Sequence, residues 1–154
     1  MHTLVFASTI CVAAIAAEAI AAGKGANETM RTLKQPSWAL PVVGWYALGV
    51  LYYAVCWFVL YRVSNSRILG SMRQASLALL IALMATNVIW NFIFLRRRKL
   101  ALGFWCVVPY AFLALVLLSM LARIDRQSEL VFLAYIFYIP YAIGWTFQVW
   151  KLNR

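Results

Sequence analysis

Long apolar stretches separated by short polar or basic segments set the architecture of this chain. They cover residues 3–22, 38–61, 74–95, 100–122 and 130–150. Each comes near the roughly 20 residues that cross about 30 Å of hydrocarbon at 1.5 Å per residue. Charged residues cluster between the stretches, as expected when only loops meet water. The pattern predicts an all-α integral membrane bundle of five transmembrane helices, forming a single domain over residues 1–154.

The first stretch is rich in Ala, and such small residues let a neighbouring helix approach closely. Its Ala-rich end resembles a signal-peptidase site, but no Lys or Arg precedes the apolar run, so it reads as a retained helix. The polar connection that follows, residues 23–37, ends in Gln35-Pro36-Ser37-Trp38, a sequence that disfavours helix before the next span begins. A basic, Ser-containing turn at 62–73 separates the second and third spans. Arg96-Arg97-Arg98-Lys99 ends the third abruptly, and residues 123–129 separate the last two. Pro109 and Pro140 fall inside the last two helices, where each removes an amide donor and should bend the axis.

Composition agrees. With 66% hydrophobic residues and a mean hydropathy of +0.83, 154 residues leave too little polar surface to cover a water-soluble globule. The net charge of +10 sits in the inter-helix segments and not on one face of a folded domain, so anionic lipid headgroups explain it better than nucleic acid. Cys11, Cys56 and Cys106 each lie within an apolar run without CxxC spacing and read as small buried hydrophobes.

Orientation follows from the basic residues. One side of the bundle carries Lys24, Arg31, Lys34, Arg96, Arg97, Arg98, Lys99, Lys151 and Arg154, and the other Arg62, Arg67, Arg73, Arg123 and Arg126. The positive-inside rule therefore places the C-terminus in the cytoplasm and the N-terminus outside. The expected location is a bacterial inner membrane or an organelle membrane.

Candidate chemistry is sparse. Asn87, Trp90, Asn91 and Phe94 recur at i, i+3, i+4 and i+7, giving the third span a face of two amides between large rings. Amides in hydrocarbon need partners, so Asn87 and Asn91 either bond a neighbouring helix or meet a ligand. The fifth span sets Tyr135, Tyr138, Ala142, Trp145, Thr146 and Val149 near one side, a second aromatic wall. Trp38, Trp105 and Trp150 also suit interfacial anchoring. His2 is the only histidine, so no interior His-based site can be assembled. Glu18 is the only carboxylate inside a span and reads first as an interfacial residue reaching water or pairing with Lys24, and second as a buried ligand-contacting or proton-linked acid.

These residues resemble the translocator protein family, also called the tryptophan-rich sensory protein or peripheral benzodiazepine receptor family, over nearly the whole chain. The family's Leu-x-Lys-Pro-x-Trp-x-Pro-Pro segment is similar to residues 33–41, with Gln35 in place of Lys and Leu40 in place of one Pro. Its Asn-x-x-Trp resembles Asn87 to Trp90, and its terminal Trp-x-Leu-Asn resembles Trp150-Lys151-Leu152-Asn153. Counting back without a gap, the family's ligand-facing Trp becomes Tyr138, and its Leu-Asn pair falls on Trp145-Thr146. Thr29-Met30 stands where the family usually has Trp-Tyr in the first loop.

The resemblance implies a five-helix fold that binds porphyrins, sterols and synthetic ligands between its helices, beneath the first loop. The expected function is non-enzymatic binding of a flat hydrophobic ligand, a tetrapyrrole first and a sterol, carotenoid or lipid after it, in a sensory, regulatory or transport-related role. Trp38 is expected as part of a lid, with Asn87, Trp90, Tyr135, Tyr138 and Thr146 as pocket walls. Arg31 and Lys34 are the expected counter-charges for acidic side arms. No covalent cofactor, metal or catalytic residue is expected, and the tetrapyrrole would be held non-covalently. Expected partners are membrane lipids and the hydrophobic small molecule, with a homodimer or a larger membrane complex as further options and no nucleic acid. The alternative function is a structural or assembly subunit of a larger complex such as a pigment–protein assembly. A transporter or channel is weaker, since Glu18 alone speaks for it.

Overall fold

The computed structural model describes residues 2–66 and 70–154, so Arg67 of the expected basic turn lies outside the described residues. Helices α1 (His2–Ala22), α3 (Val42–Ser64), α4 (Ser71–Asn91), α5 (Leu100–Ile124) and α6 (Arg126–Leu152) are the five apolar segments, and α2 (Ala26–Thr32) is a short helix in the first connection. All five long helices have the length and hydropathy to cross a membrane. Helix is the form these segments must take, because lipid offers backbone amides no partner and the segment has to supply its own. The helices run on through Pro109 and Pro140.

Neighbour contacts order the spanning helices as a closed ring, α1–α3–α6–α5–α4 and back to α1. Two buried clusters divide it. One lies at the end where α3 finishes and α6 begins and includes Val59, Leu60, Leu80, Leu117, Leu121 and Phe132. The other lies beneath the first connection and holds Phe94, Leu100, Trp145 and Val149, with Trp45 and Trp90 packed on it.

Three departures from the expected elements have physical causes. Residues 23–37 are not wholly irregular: α2 forms between Gly25 and Leu33, with Glu28 in its first turn and Arg31 in its last, each favourable to the helix dipole. The link between α5 and α6 is the single residue Asp125. Its carboxylate caps α6 by accepting from Ser128 N at 2.9 Å and Ser128 Oγ at 2.7 Å, so the helix starts well before residue 130. Arg62 of α3 binds the same carboxylate through Nε at 3.1 Å and Nη2 at 2.6 Å, tying three helices at one end. Finally, α4 continues as a π-helical turn over Phe92–Arg96, which carries Phe94 inward before the Arg cluster. Gly103 of α5 makes room for it: a Cβ there would lie 2.6 Å from Phe94 Cδ2.

Candidate functional site

A cavity of about 730 Å³ lies near the end of the bundle that carries α2, lined by residues of all five spanning helices. Its walls are mainly aromatic. Trp45 and Trp145 meet at 4.4 Å between ring centroids, Trp90 stacks on Phe94 at 4.7 Å, and Tyr52 packs on Tyr135 at 5.2 Å. Trp145, 1% exposed, is the centre of this cluster, and its Nε1 donates to Gln35 Oε1 at 2.9 Å. Gln35 and Trp145 both stand where the chain departs from the pattern it resembles, and each is the other's partner.

Of the residues expected at the site, Asn87, Trp90, Tyr135, Tyr138 and Thr146 all line this one cavity. Their polar groups differ in availability. The Thr146 hydroxyl donates to the Ala142 carbonyl of its own helix at 2.6 Å, and the Tyr135 hydroxyl is paired with that of Tyr110. Asn87 accepts from Asn91 Nδ2 only through its backbone carbonyl, at 3.0 Å, which leaves its carboxamide without a protein partner among the described residues. Trp90 Nε1 is buried and has no hydrogen-bond partner among the described residues.

The structure separates three expected residues from the cavity. Trp38, expected as part of a lid, is 45% exposed and lies edge-on to Tyr141 at 5.4 Å beside Gly144, outside the cavity lining. Helix α2 instead contributes Ala26, Asn27 and Met30 to the lining. Arg31 and Lys34 are exposed and do not line it either. The Lys34 backbone is clipped to the chain's tail, its N–H donating to Asn153 Oδ1 at 2.9 Å and its carbonyl accepting from Asn153 Nδ2 at 3.0 Å. That clip gives the terminal Asn a structural task. The cation at the cavity is Lys24.

Glu18 also moves from its first reading. It lines the cavity, and its carboxylate accepts from Asn91 Nδ2 at 2.7 Å and from the Tyr53 hydroxyl. Asn91 thus bonds a neighbouring helix, one of the two options its position allowed. Tyr52, Tyr53 and Tyr110 were missed as site residues, because a uniformly apolar, aromatic span has no periodicity to mark which face turns inward. Ile15, Tyr46 and Val50 line the cavity while 46%, 58% and 73% exposed, so it reaches the bundle surface between α1 and α3.

Residues 7–151 match the family model described as the TspO/MBR family. The chain belongs to the TspO/MBR family. This is the family that the loop and tail motifs resemble, and with five apolar spans it makes the chain an integral, multi-pass membrane protein. One relative, Protein CrtK of Rhodobacter capsulatus, is 28% identical over 130 residues, covering 79% of this chain and 76% of that protein. In this TspO/MBR member Asn153 ties the first connection to the end of α6, and the third-span Asn-x-x-Trp supplies one cavity wall.

Proposed function

We propose that this TspO/MBR protein binds a flat hydrophobic molecule, a tetrapyrrole before a sterol, carotenoid or lipid, and serves a sensory, regulatory or transport-related role without catalysing a reaction. The observation that carries the reading is the aromatic cavity of about 730 Å³, a size typical of small-molecule sites. Ring faces from Trp45, Trp90, Tyr138 and Trp145 supply stacking area, and the free Asn87 carboxamide supplies one orienting group. A lipid-soluble guest enters from the hydrocarbon side, where the cavity reaches the surface between α1 and α3. Lys24 at the α2 end serves an acidic side arm in place of Arg31 and Lys34.

The C-terminus and the α2 connection face the cytoplasm on this reading, because the Lys and Arg residues are concentrated on that side. The ligand reading is tested by titrating the purified protein with protoporphyrin while following Trp fluorescence. Saturable quenching is expected, with affinity reduced about tenfold in Trp90→Leu. Unsaturable quenching, or an affinity unchanged by Trp90→Leu, would refute it.

A further inference from the structure

Three polar side chains of the cavity, Glu18, Tyr53 and Asn91, meet at one point in the α1 wall. Glu18 Oε1 accepts from Asn91 Nδ2 of α4 at 2.7 Å, and Oε2 accepts from the Tyr53 hydroxyl of α3. Both donors are neutral. The ion pairs among the described residues are Arg62–Asp125 and Arg126–Glu129, both at the other end of the bundle, so Glu18 has no cationic partner. Among the described residues Lys24 is the one Lys or Arg in the cavity lining, and it lies beyond the end of α1 at Ala22, past the turn at Gly23.

A carboxylate offers about four lone-pair positions, and two here are filled by the protein. Two neutral hydrogen bonds orient such a group in a poorly polar cavity but leave its charge unbalanced. The same cavity is lined by the rings of Trp45, Tyr52, Trp90 and Tyr138, and aromatic faces attract cations. An oriented acid within an aromatic enclosure is the recognition chemistry of a positively charged nitrogen.

We propose that Glu18 is the anchor for a protonated nitrogen on the guest, so that the cavity selects flat hydrophobic molecules bearing an amine or a protonated ring nitrogen. The N–H group donates to the open side of the Glu18 carboxylate while the ring system lies against the aromatic walls. Tyr53 and Asn91 are positioning residues that fix the carboxylate. This rests on the cavity being a ligand site. The net charge of +10 repels cations at long range, so a preference for one has to come from contact inside the cavity.

The test places the protein in phosphatidylcholine nanodiscs at neutral pH and compares three probes by Trp quenching: 9-aminoacridine, which is protonated, 9-anthracenemethanol, an uncharged three-ring analogue, and protoporphyrin. The wild-type protein should bind aminoacridine about tenfold tighter than anthracenemethanol. Glu18→Gln should remove that advantage and leave anthracenemethanol within about twofold, the mark of an intact cavity. Equal affinities in the wild-type protein, or a preference that survives Glu18→Gln, overturn the role of Glu18 while leaving the cavity in place. If none of the three probes binds, the ligand reading falls and this inference with it. Should Glu18→Gln fail to fold, Tyr53→Phe and Asn91→Leu, which loosen the carboxylate, should each shrink the aminoacridine advantage, and a preference unchanged in both overturns the proposal.

Discussion

The two ends of the bundle are built from the same helices but packed in opposite ways. Where α3 ends and α6 begins, Val59, Leu60, Leu117 and Leu121 are at most 1% exposed, and the core is closed. Toward α2, the same helices carry Trp45, Trp90, Tyr138 and Trp145 and enclose a cavity of about 730 Å³. Branched aliphatic side chains interdigitate and leave little void. Large planar rings cannot adapt to each other in that way, and here three are held by a neighbour: Trp145 by Gln35, Trp90 by Phe94, and Tyr135 by Tyr110. The contrast divides the bundle into one end that is closed and another that keeps a cavity open.

Mutations can break this division or sharpen it. The largest effect is expected for Leu60→Ala at the packed end, where a side chain with 0% exposure leaves a void. It should cost about 2–5 kcal/mol in thermal or denaturant unfolding in detergent and leave protoporphyrin affinity unchanged. Loss of binding without loss of stability would erase the distinction between the ends. Gly103→Ala comes next, since its methyl would meet the buried Phe94 ring. A destabilisation of about 1–3 kcal/mol is expected, together with weaker ligand binding through the displaced Phe94–Trp90 stack.

Trp90→Leu should reverse the pattern of Leu60→Ala, lowering ligand affinity about tenfold with a smaller change in melting temperature. Its indole N–H is buried without a partner, so removing it relieves one unsatisfied donor in the empty protein.

At the packed end, the Arg62 guanidinium, and after it Ser128, hold the Asp125 carboxyl down at about 2 against an ordinary 3.8. A carboxyl depressed by folding adds stability that is complete above its unfolded value and disappears as pH falls toward its folded one. Melting temperature should therefore drop between about pH 4 and pH 2 in the wild-type protein. Asp125→Asn, which keeps a capping oxygen, should flatten that slope, and a slope of undiminished size in this variant would assign it to another group. The smallest effect is expected for Trp38→Leu: affinity within about twofold of wild type, because its ring lies outside the cavity. A tenfold loss there would return Trp38 to the lid.

The number and order of the spanning helices are legible in the sequence, and for a local reason. A backbone in lipid must satisfy itself within each segment, so a run of apolar residues of sufficient length already states its own secondary structure. The Asn-x-x-Trp face is also legible, because spacing along one helix fixes which of its residues share a side. What stayed hidden depends on how separate helices are rotated against one another. Glu18 was read first as an interfacial acid because nothing along α1 points to Tyr53 or Asn91, which reach it from α3 and α4. Trp38 was read as a lid from its place before α3, whereas the course of the chain into Leu40, whose N–H donates to the Tyr141 hydroxyl at 2.9 Å, sets it against the outer side of α6. Periodicity tells which residues of a helix look the same way, while only the closed ring of helices decides what they look at.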